Sequence, residues 1–491
     1  MTNTKEDISS DSLTESIKET LDPIPYSVFS KRQKITIVAI ASMSAFFSPF
    51  SSNIYYPSIK ILQQEMQVSS SMINLTITLY MVFQGISPSF WGTVADSVGR
   101  RPVFLATFLI YIAACVGLAS ANNFATLVTL RMLQSFGSSS AIAVGAGTIG
   151  DISTPSERGG NMGILSMGIM LGPLIGPFLG GIVTYELGWR WIFWLLVIMA
   201  STVWLLQLFF LPETLRKLVG NGSVCANPTP YQYWKNKKLD KQLEPVIEKD
   251  PNEPKLIYRM FQSFIYFKEK DVLVVLLYSS LEFACLQCIL SSLTPLFVDA
   301  YQIDEFKVGL TFLAPGFGSL LGSYGSGKLM NWRFKKIADS LHMDKNKRER
   351  HNLDPEFPIE KARMGNVWIY GILFNIGMIA YGWTLHYRVN LAVPIILNFV
   401  TSCTSAATFN VTNTLLVDLF PKNSSTIVAT NNLARCLISA VAILVVQPGV
   451  GKIGTGWTFT AISLALLASR AFLFVELAYG PRWRHKRNGV Q

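Results

Sequence analysis

The chain has 491 residues, of which 50% are hydrophobic and only 15% are charged. An ordinary soluble domain carries about 25% charged residues, so this composition excludes a soluble globular protein and indicates a polytopic membrane protein. The net charge of +11 does not indicate nucleic-acid binding, because most of the 42 Lys and Arg residues lie in loops between apolar segments.

The first 30 residues are polar and contain neither a long apolar run nor the pattern of a signal peptide. We therefore predict a disordered cytosolic N-terminal tail at 1–34. Apolar segments of about 20 residues, the length that spans a bilayer, begin after this tail. The first six segments lie near 35–57, 73–95, 102–121, 124–148, 160–183 and 190–211.

A polar stretch at 212–271 interrupts the apolar segments and is predicted to be a cytosolic central loop. Six more segments lie near 272–298, 308–330, 365–386, 390–419, 424–447 and 456–479. The sequence therefore predicts an all-α polytopic membrane protein with twelve transmembrane helices in two six-helix halves, at 35–211 and 272–479. The second half is predicted to carry a cytosolic insertion at 331–364, and a basic cytosolic tail follows at 480–491.

The distribution of basic residues predicts the orientation of the helices. Lys and Arg are concentrated in the loops that share a side with both termini, so both termini are predicted to be cytosolic. Within the central loop, the stretch from Lys255 to Phe267 has two interpretations. It forms either an amphipathic helix in the membrane plane or a solvated linker.

Helix 5 contains the stretch GIMLGPLIGPFLGG, from Gly168 to Gly181. Small residues spaced four apart let a neighbouring helix approach closely, and neighbours can satisfy the carbonyl groups that proline leaves free. Helix 8 has a glycine-rich face of its own, with Gly316 and Gly322, so we expect the two helices to pack on each other. The residues of the helix 5 stripe are Gly168, Gly172, Pro173, Gly176, Pro177 and Gly180.

The two halves resemble each other weakly, as internal repeats of transporters do. Helix 2 ends with GTVAD before SVGRRP, and helix 8 ends with GKLMN before WRFKK. Helix 4 ends at Asp151 with Pro155 after it, and helix 10 ends at Asp418 with Pro421 after it. The matches fall in corresponding helices and therefore favour a duplication.

Three motifs together carry a resemblance to the major facilitator superfamily. The stretch GTVADSVGRRP, from Gly92 to Pro102, resembles the signature of the loop between helices 2 and 3. The stretch LVTLRMLQSFGSS is similar to the helix 4 motif, although Ser135 stands where glycine is usual. The helix 5 stretch resembles the antiporter motif. The resemblance implies the major facilitator fold.

Further stretches narrow the resemblance to the fungal drug:proton antiporters with twelve spans, of the quinidine- and multidrug-resistance type. These stretches are NIYYPSI, LPETLR and DPEFPIEKAR. The resemblance implies a proton-coupled secondary transporter of the plasma membrane that exports amphiphilic organic compounds, such as drugs, organic cations or related metabolites, by alternating access. Its partners would be a small-molecule substrate, protons and the bilayer, with no nucleic acid, and the chain is expected to be a monomer.

The loop after helix 2 contains a carboxylate and two glycines that predict a close contact on the cytosolic side. Gly92 and Gly99 let the short loop turn beside a neighbouring helix. Asp96 can accept hydrogen bonds from amides or face a helix N-terminus, where a carboxylate is stabilised. The resemblance implies helix 11, which begins near Asn423, as the partner of Asp96.

Two arginines follow in the same loop. Arg100 and Arg101 are expected to pair with Asp96 or Asp151 and to act as a latch that closes the cytosolic side in one conformational state. The alternative is that both arginines only anchor the loop on the positive side of the membrane.

Charges inside membrane helices are expensive and are functional candidates by default. Glu282 is predicted near the middle of helix 7, with Tyr278 one turn away on the same face. An ionised carboxyl is costly there, so Glu282 is predicted to exchange a proton or a cationic substrate. The alternative is a neutral carboxyl that is hydrogen-bonded to a neighbouring helix. By contrast, Asp151, Asp418 and Glu476 are predicted at cytosolic helix ends, where water makes ionisation cheap.

Two further helices contribute charges to the predicted cavity. Arg131 in helix 4 is predicted to line it together with Gln134. Arg435 in helix 11, beside Asn431, is predicted to be either a cavity charge or a partner for Glu282.

Helix 1 contains no acid, so the acidic residue of bacterial antiporters cannot be transferred to this chain. Its aromatic residues, with Phe46 as the cavity candidate, are predicted to offer a surface for a flat lipophilic cation. Arg470 in helix 12 is expected to extend toward the membrane surface. Cys285 and Cys288 form a CxxC pair within an apolar helix with no histidine nearby, so we expect no metal site and no cofactor.

Several other functions remain open from the sequence. The physiological cargo is equally compatible with polyamines, amino acids, weak acids or a cell-wall precursor. A sugar importer of the same fold, a channel and an intramembrane enzyme are weaker alternatives, and no HExxH, GxSxG or phosphate-loop motif is present to support an enzyme.

Overall fold

The computed structural model describes residues 27–224, 226–230, 232–234, 262–341, 357–420 and 424–487. Most of the predicted N-terminal tail, most of the central loop and the middle of the insertion lie outside the described residues. The predicted amphipathic stretch from Lys255 is described only from residue 262 onward. The domain bounds therefore stay a prediction.

The first half of the described chain forms six membrane-crossing helices, which we label α1 to α6. Their bounds are Lys31–Asn53 (α1), Ser70–Val98 (α2), Arg100–Ala119 (α3), Phe124–Ser138 continued by Ser140–Ile152 (α4), Pro155–Leu187 (α5) and Arg190–Phe210 (α6). Each of the first six predicted segments corresponds to one of these helices.

The second half repeats this arrangement with helices α7 to α12. Their bounds are Lys270–Tyr301 (α7), Leu313–Ser340 (α8), Val367–His386 (α9), Ala392–Leu419 (α10), Ser424–Ile453 (α11) and Thr455–Ser469 continued by Ala471–Arg487 (α12). Among the described residues, nine helical stretches are long and apolar enough to span a bilayer by themselves. Helices α2, α4 and α8 are not among the nine, and they carry glycine, serine or charged residues in the interior of the bundle.

Side chains at the helix starts explain where several helices begin. Ser30 accepts a hydrogen bond from the backbone of Gln33, whose side chain accepts one from the backbone of Ser30. Thr154 and Glu157 form the same reciprocal capping box before α5. A capping side chain satisfies backbone N–H groups that have no partner within the helix.

The glycine stripe of α5 packs against α1, so the prediction that it packs on helix 8 is wrong. A Cβ atom added to Gly168 would lie 2.7 Å from the carbonyl oxygen of Ser42. A Cβ at Gly172 would lie 2.7 Å from the backbone nitrogen of Phe50. The prediction of a close helix pair was therefore right, but glycine spacing does not reveal which neighbour fills the groove.

Helix α5 does contact α8, but through other residues. A Cβ at Gly316 would lie 2.7 Å from the backbone of Leu174, and Gly181 abuts Gly309 in the short helix before α8. A Cβ at Gly318 would overlap the carbonyl of Phe399 in α10. The glycines of α8 therefore serve two neighbours, one in each half.

The two halves meet mainly where α2 and α11 run antiparallel. Asn74 and Thr78 of α2 donate hydrogen bonds to backbone carbonyls of α11. Since α2 and α11 are antiparallel, the N-terminal end of α1 and the C-terminal end of α12 lie at the same end of the bundle, which we call the terminal face. The other end is the distal face.

Polar contacts between the halves lie toward the distal face. Lys60 and Asp299 form an ion pair of 2.8 Å there, and Thr294 donates to the carbonyl of Tyr56. Among the described residues, the polar contact between halves that lies nearest the terminal face joins Asn432 to the carbonyl of Gln84. In this conformation, the contacts between the halves therefore close the distal end.

Candidate transport site

In the N-terminal half, the guanidinium group of Arg131 lies close to two aromatic rings. Its guanidinium carbon lies 4.2 Å from the ring centroid of Tyr55 and 4.3 Å from that of Tyr80. The same group donates hydrogen bonds to the carbonyl of Ser51 and to Oε1 of Gln134. Arg131 is 1% exposed, so the rings and acceptors replace water around its charge. Within the described residues, Nε of Arg131 has no hydrogen-bond partner, so this N–H group is available to a ligand.

Arg435 has the same kind of environment in the C-terminal half. Its guanidinium carbon lies 4.3 Å from the ring of Phe283 and 4.6 Å from that of Phe409. It donates a hydrogen bond of 2.9 Å to Oδ1 of Asn432. The adjacent Asn431 is buried and donates to Asn413. Arg435 therefore contacts two phenyl rings and one amide, and its Nε has no hydrogen-bond partner among the described residues.

A chain of polar contacts joins the surroundings of these two arginines. Asn432 donates to the carbonyl of Gln84, and the Gln84 side chain donates to the hydroxyl of Ser48. The Tyr80 hydroxyl donates to the carbonyl of Ser48. The two arginines therefore belong to one polar layer that crosses from one half to the other near the middle of α2.

Glu282 is buried within its own half. It is 1% exposed, and Tyr278, Thr408 and Arg470 surround its carboxyl. Within the described residues, neither carboxyl oxygen has a hydrogen bond of standard geometry, although the hydroxyl groups of Tyr278 and Thr408 lie close enough to donate. The arginine beside Glu282 is therefore Arg470 of α12. Of the two alternatives for Arg435, the pairing with Glu282 is wrong.

Arg470 does not extend to the membrane surface, so that expectation is also wrong. It is 5% exposed and donates a hydrogen bond of 2.8 Å to Oδ1 of Asn375 in α9. A Cβ added to Gly371 would lie 2.8 Å from the Tyr278 hydroxyl and 3.1 Å from the Arg470 guanidinium. The absence of a side chain at Gly371 thus makes room for both groups.

Phe46 lies at the edge of an aromatic cluster in α1. Its ring stacks on Phe50 with centroids 4.6 Å apart and meets Phe47 edge to face. Phe47 continues the cluster to Phe108 of α3. Phe46 is only partly buried, so part of its ring is available for an apolar ligand.

Arg100 bridges two carboxylates at the terminal face. Its guanidinium group lies 2.7 Å from Asp96 and 3.1 Å from Asp151. A Cβ at Gly147 would lie 2.6 Å from the guanidinium carbon, so this glycine makes room for the bridge. Gly92 lies against Ala143 of α4. Asn423, the proposed start of the helix 11 contact, lies outside the described residues, and the latch role stays a prediction.

Arg101 contacts neither of the two aspartates in the described structure. It donates to the backbone carbonyls of Leu208 and Asn227. Its contacts therefore hold the start of α3 to the end of α6 and to the segment after it.

Glu213 is a site residue that the sequence interpretation missed. Its carboxylate is 3% exposed and accepts hydrogen bonds from the backbone N–H groups of Arg100 and Arg101 at the start of α3. It also accepts from two backbone N–H groups of its own segment and from Asn227. Gly99 makes this approach possible, because its φ of +121° and its missing Cβ leave room for the carboxylate. The LPETLR stretch was a signal for this residue, but spacing alone assigns it no partner.

The terminal face of the C-terminal half contains buried acids, contrary to the expectation of hydrated helix ends. The side chain of Asp418 is 0% exposed and lies 2.8 Å from Arg363. Glu476 is 0% exposed, whereas the side chain of Asp151 is 15% exposed. Position along a helix therefore does not indicate hydration when short helices cover the helix end.

The described residues contain no group of three or more His, Cys, Asp or Glu side chains arranged to hold a metal ion. Cys285 and Cys288 are buried and not joined in a disulfide.

Twelve membrane-crossing helices in two halves, joined through a buried polar layer with few charges, define a membrane transporter rather than an enzyme. The sequence profile of the Major Facilitator Superfamily matches residues 41–443, and the chain belongs to this superfamily.

The chain is 39% identical to Citrate exporter 1 of Aspergillus niger over 472 residues, which cover 94% of this chain and 89% of that protein. It is 32% identical to Quinidine resistance protein 1 of Saccharomyces cerevisiae, with 94% of this chain and 85% of that protein covered. The structure of the xylose transporter XylE from E. coli superposes with a TM-score of 0.63 at 14% identity, covering 90% of this chain and 98% of that one. At this identity the superposition shows the shared fold alone.

Proposed function

We propose that this chain exports a small organic anion carrying carboxylate groups, by alternating access and in exchange for protons. The observation that carries the proposal is the charge balance of the membrane interior. Three arginines lie there among the described residues, the buried Arg131 and Arg470 and the partly buried Arg435, against one buried carboxyl, Glu282. An organic cation would add to this excess of positive charge, whereas an anion would neutralise it.

The geometry of two of these arginines supports carboxylate binding. A guanidinium group binds a carboxylate through parallel N–H groups on its edge. Within the described residues, the Nε groups of Arg131 and Arg435 have no hydrogen-bond partner, so they are available to donate to such a carboxylate. The two groups come from opposite halves, so one anion that contacts both would couple binding to the relative movement of the halves.

The relatives support the same substrate class. Citrate Exporter 1 is the relative described above with the higher identity to this chain, and its name specifies an organic anion. An inside-negative membrane potential drives an anion outward and a proton inward, so both movements of the proposed exchange would be favourable.

We assign the proton-coupling role to Glu282. A buried carboxyl without hydrogen bonds of standard geometry is costly to keep ionised, and Arg470 nearby can stabilise the ionised form when the proton leaves. The proposal includes a plasma-membrane location, cytosolic termini and a monomer, with the terminal face in the cytosol.

Export of flat lipophilic drugs is the second candidate function. The partly buried stack of Phe46 on Phe50 offers an aromatic surface, and Quinidine resistance protein 1 is a relative over most of the chain. This candidate requires that contact with the aromatic surface stabilises a bound cationic drug by more than the excess of positive charge destabilises it.

The test uses the full chain in proteoliposomes with an imposed pH gradient, labelled citrate as one probe and a quinidine-like cation as the other. We expect wild-type citrate flux, and a loss of about tenfold or more in Arg131→Gln and Arg435→Gln, because each substitution removes a charge that binds carboxylate. Arg190→Gln, at an exposed ion pair with Glu65 on the distal face, is the matched control and should retain the flux.

Glu282→Gln extends the same experiment to coupling. It should retain citrate exchange at equal pH but lose acceleration by the pH gradient. Cation flux without citrate flux in the wild type would support the second candidate and contradict the first. An unchanged response of Glu282→Gln to the gradient would exclude Glu282 as the coupling group.

A further inference from the structure

Three acids are buried together at the terminal face of the C-terminal half. They lie about three helical turns from Glu282, counted along α7 from Asp271. Asp271 lies in the first turn of α7 and is 1% exposed. Glu360 and Glu476 are both 0% exposed. Glu360 lies in the short helix Ile359–Met364 that precedes α9, and Glu476 lies in the last segment of α12. Three different elements therefore direct a carboxyl into one buried cluster, which we call the acid cluster.

Two arginines of α12 face the acid cluster, and they neutralise only two of its three carboxyls. Arg487 lies 2.6 Å from Asp271, and Arg484 lies 3.5 Å from Glu360. Within the described residues, Glu476 forms no ion pair, and neither of its carboxyl oxygens has a hydrogen-bond partner. One buried negative charge is therefore left over when all three acids are ionised.

Glu360 and Glu476 both approach Gly480, and their two carboxyls repel each other electrostatically. A Cβ added to Gly480 would lie 2.7 Å from Oε1 of Glu476 and 3.5 Å from Cγ of Glu360. The missing side chain thus creates the space that both acids enter. Two carboxyls buried side by side cannot both be ionised without a strong cost, and a shared proton relieves it.

We propose that Glu360 and Glu476 form a proton-binding site at the terminal face, separate from Glu282, which holds one proton when the short helix 359–364 is docked on α12. The charged groups that face this site are Asp271 and Glu269 from the start of α7, Glu360 from the short helix, and Arg484, His485 and Arg487 from α12.

Burial raises the pKa of Glu360 above its usual value, and Arg484 only partly opposes this effect. A raised pKa in the folded state means that the group stabilises the fold at pH below its unfolded-state pKa. This contribution is lost as the pH rises through the folded-state pKa. Loss of the proton therefore loosens the contact between the short helix and α12.

The proposed site provides a way for pH at the terminal face to influence transport. With the proton bound, the acid cluster is electrically balanced and the covering helix stays docked. Without the proton, repulsion between Glu360 and Glu476 separates the helix from α12. The opening of the terminal face would then depend on pH even with the substrate site empty.

The direct test is infrared difference spectroscopy of the full chain in proteoliposomes, titrated from mildly acidic to alkaline pH. We expect a protonated-carboxyl band that disappears at alkaline pH, is absent in Glu476→Gln and is shifted in its pH midpoint in Glu360→Gln. Glu186→Gln is the matched control, because Glu186 is exposed, lies outside the acid cluster and should hold no such proton. Glu282→Gln should retain the band, which separates this proposal from the coupling role of Glu282.

Thermal unfolding of the same variants provides a second readout. One proton lost with rising pH changes the unfolding equilibrium constant about tenfold per pH unit across the titration. Wild type should show this slope and Glu476→Gln should lack it. If Glu476→Gln fails to fold, Gly480→Ala replaces it, and its added methyl group should move the midpoint of the band. A wild-type spectrum without the band, or the same band in Glu476→Gln, would overturn the proposal.

Discussion

Buried acids at the terminal face are satisfied in different ways in the two halves. Glu213 in the N-terminal half accepts hydrogen bonds from the N–H groups that open α3. Glu476 in the C-terminal half has no described hydrogen-bond partner and lies beside Glu360. A carboxylate at a helix N-terminus can stay ionised because backbone dipoles stabilise it, whereas paired carboxyls require a cation or a proton. The two halves therefore stabilise their buried acids by different chemistry at the terminal face.

Gly99 is one physical origin of this difference. Its positive φ and missing side chain open the N-terminus of α3 to Glu213. The corresponding start of α9 follows Asn366, which accepts a hydrogen bond from Arg333, and no acid is described at that helix start. In the C-terminal half, Glu360 instead pairs with Arg484 of α12.

The largest expected effect comes from comparing the ion pairs of the two halves. Arg363→Gln should lower the free energy of unfolding by about 3 to 5 kcal/mol, because it leaves Asp418 buried without its arginine. Arg100→Gln should cost less, about 1 to 2 kcal/mol, because Asp96 and Asp151 are both more exposed than Asp418 and water can replace part of the guanidinium's contacts. Chemical unfolding of both variants in detergent measures the difference. Equal losses would show that the ion pairs of the two halves contribute equally to stability.

An intermediate effect is expected for Glu213. Glu213→Gln keeps the shape but removes the charge that binds the start of α3, and should cost about 2 to 4 kcal/mol. Glu186→Gln is the control, since Glu186 is an exposed glutamate at the C-terminal end of α5, far from the start of α3. Hydrogen exchange at the amides of Arg100 and Arg101 should accelerate in Glu213→Gln alone. Unchanged exchange would mean that the backbone contacts of Arg101 hold this helix start without Glu213.

The smallest expected effect sharpens the interpretation of the loop signature. Asp96→Asn removes one of two carboxylates from Arg100 at a side chain that is 39% exposed, so stability should change by less than about 1 kcal/mol. If the bridge is a latch, the variant should nevertheless alter the rate of transport, which proteoliposome flux would measure. Wild-type flux would favour the alternative that the arginines only anchor the loop.

Much of the helical architecture was predictable because a bilayer imposes it on the sequence. The predicted segment 190–211 corresponds to α6 at Arg190–Phe210, and the break of α4 falls inside the predicted segment 124–148. Arg131 and Glu282 stood out because charges are rare in apolar helices. Their partners were not predictable, since the rings of Tyr55 and Tyr80 and the guanidinium of Arg470 come from distant parts of the chain.

Three errors have a common physical cause. The glycine stripe was placed on the wrong neighbour, Arg470 was expected at the surface, and Glu476 was expected in water. In each case the sequence defined the face or the depth of a residue along its helix. The rotation of that helix and the element that covers it depend on packing between helices.

The sequence by itself determined the class of protein, the number of helices and the few charges that the membrane interior contains, because hydrophobic length and charge are local properties. Only the tertiary structure decided that Arg131 and Arg435 belong to one polar layer, that Glu213 caps α3 and that Glu360 meets Glu476. These pairings join residues far apart in the chain, and they arise from close approaches of helices that no local pattern specifies.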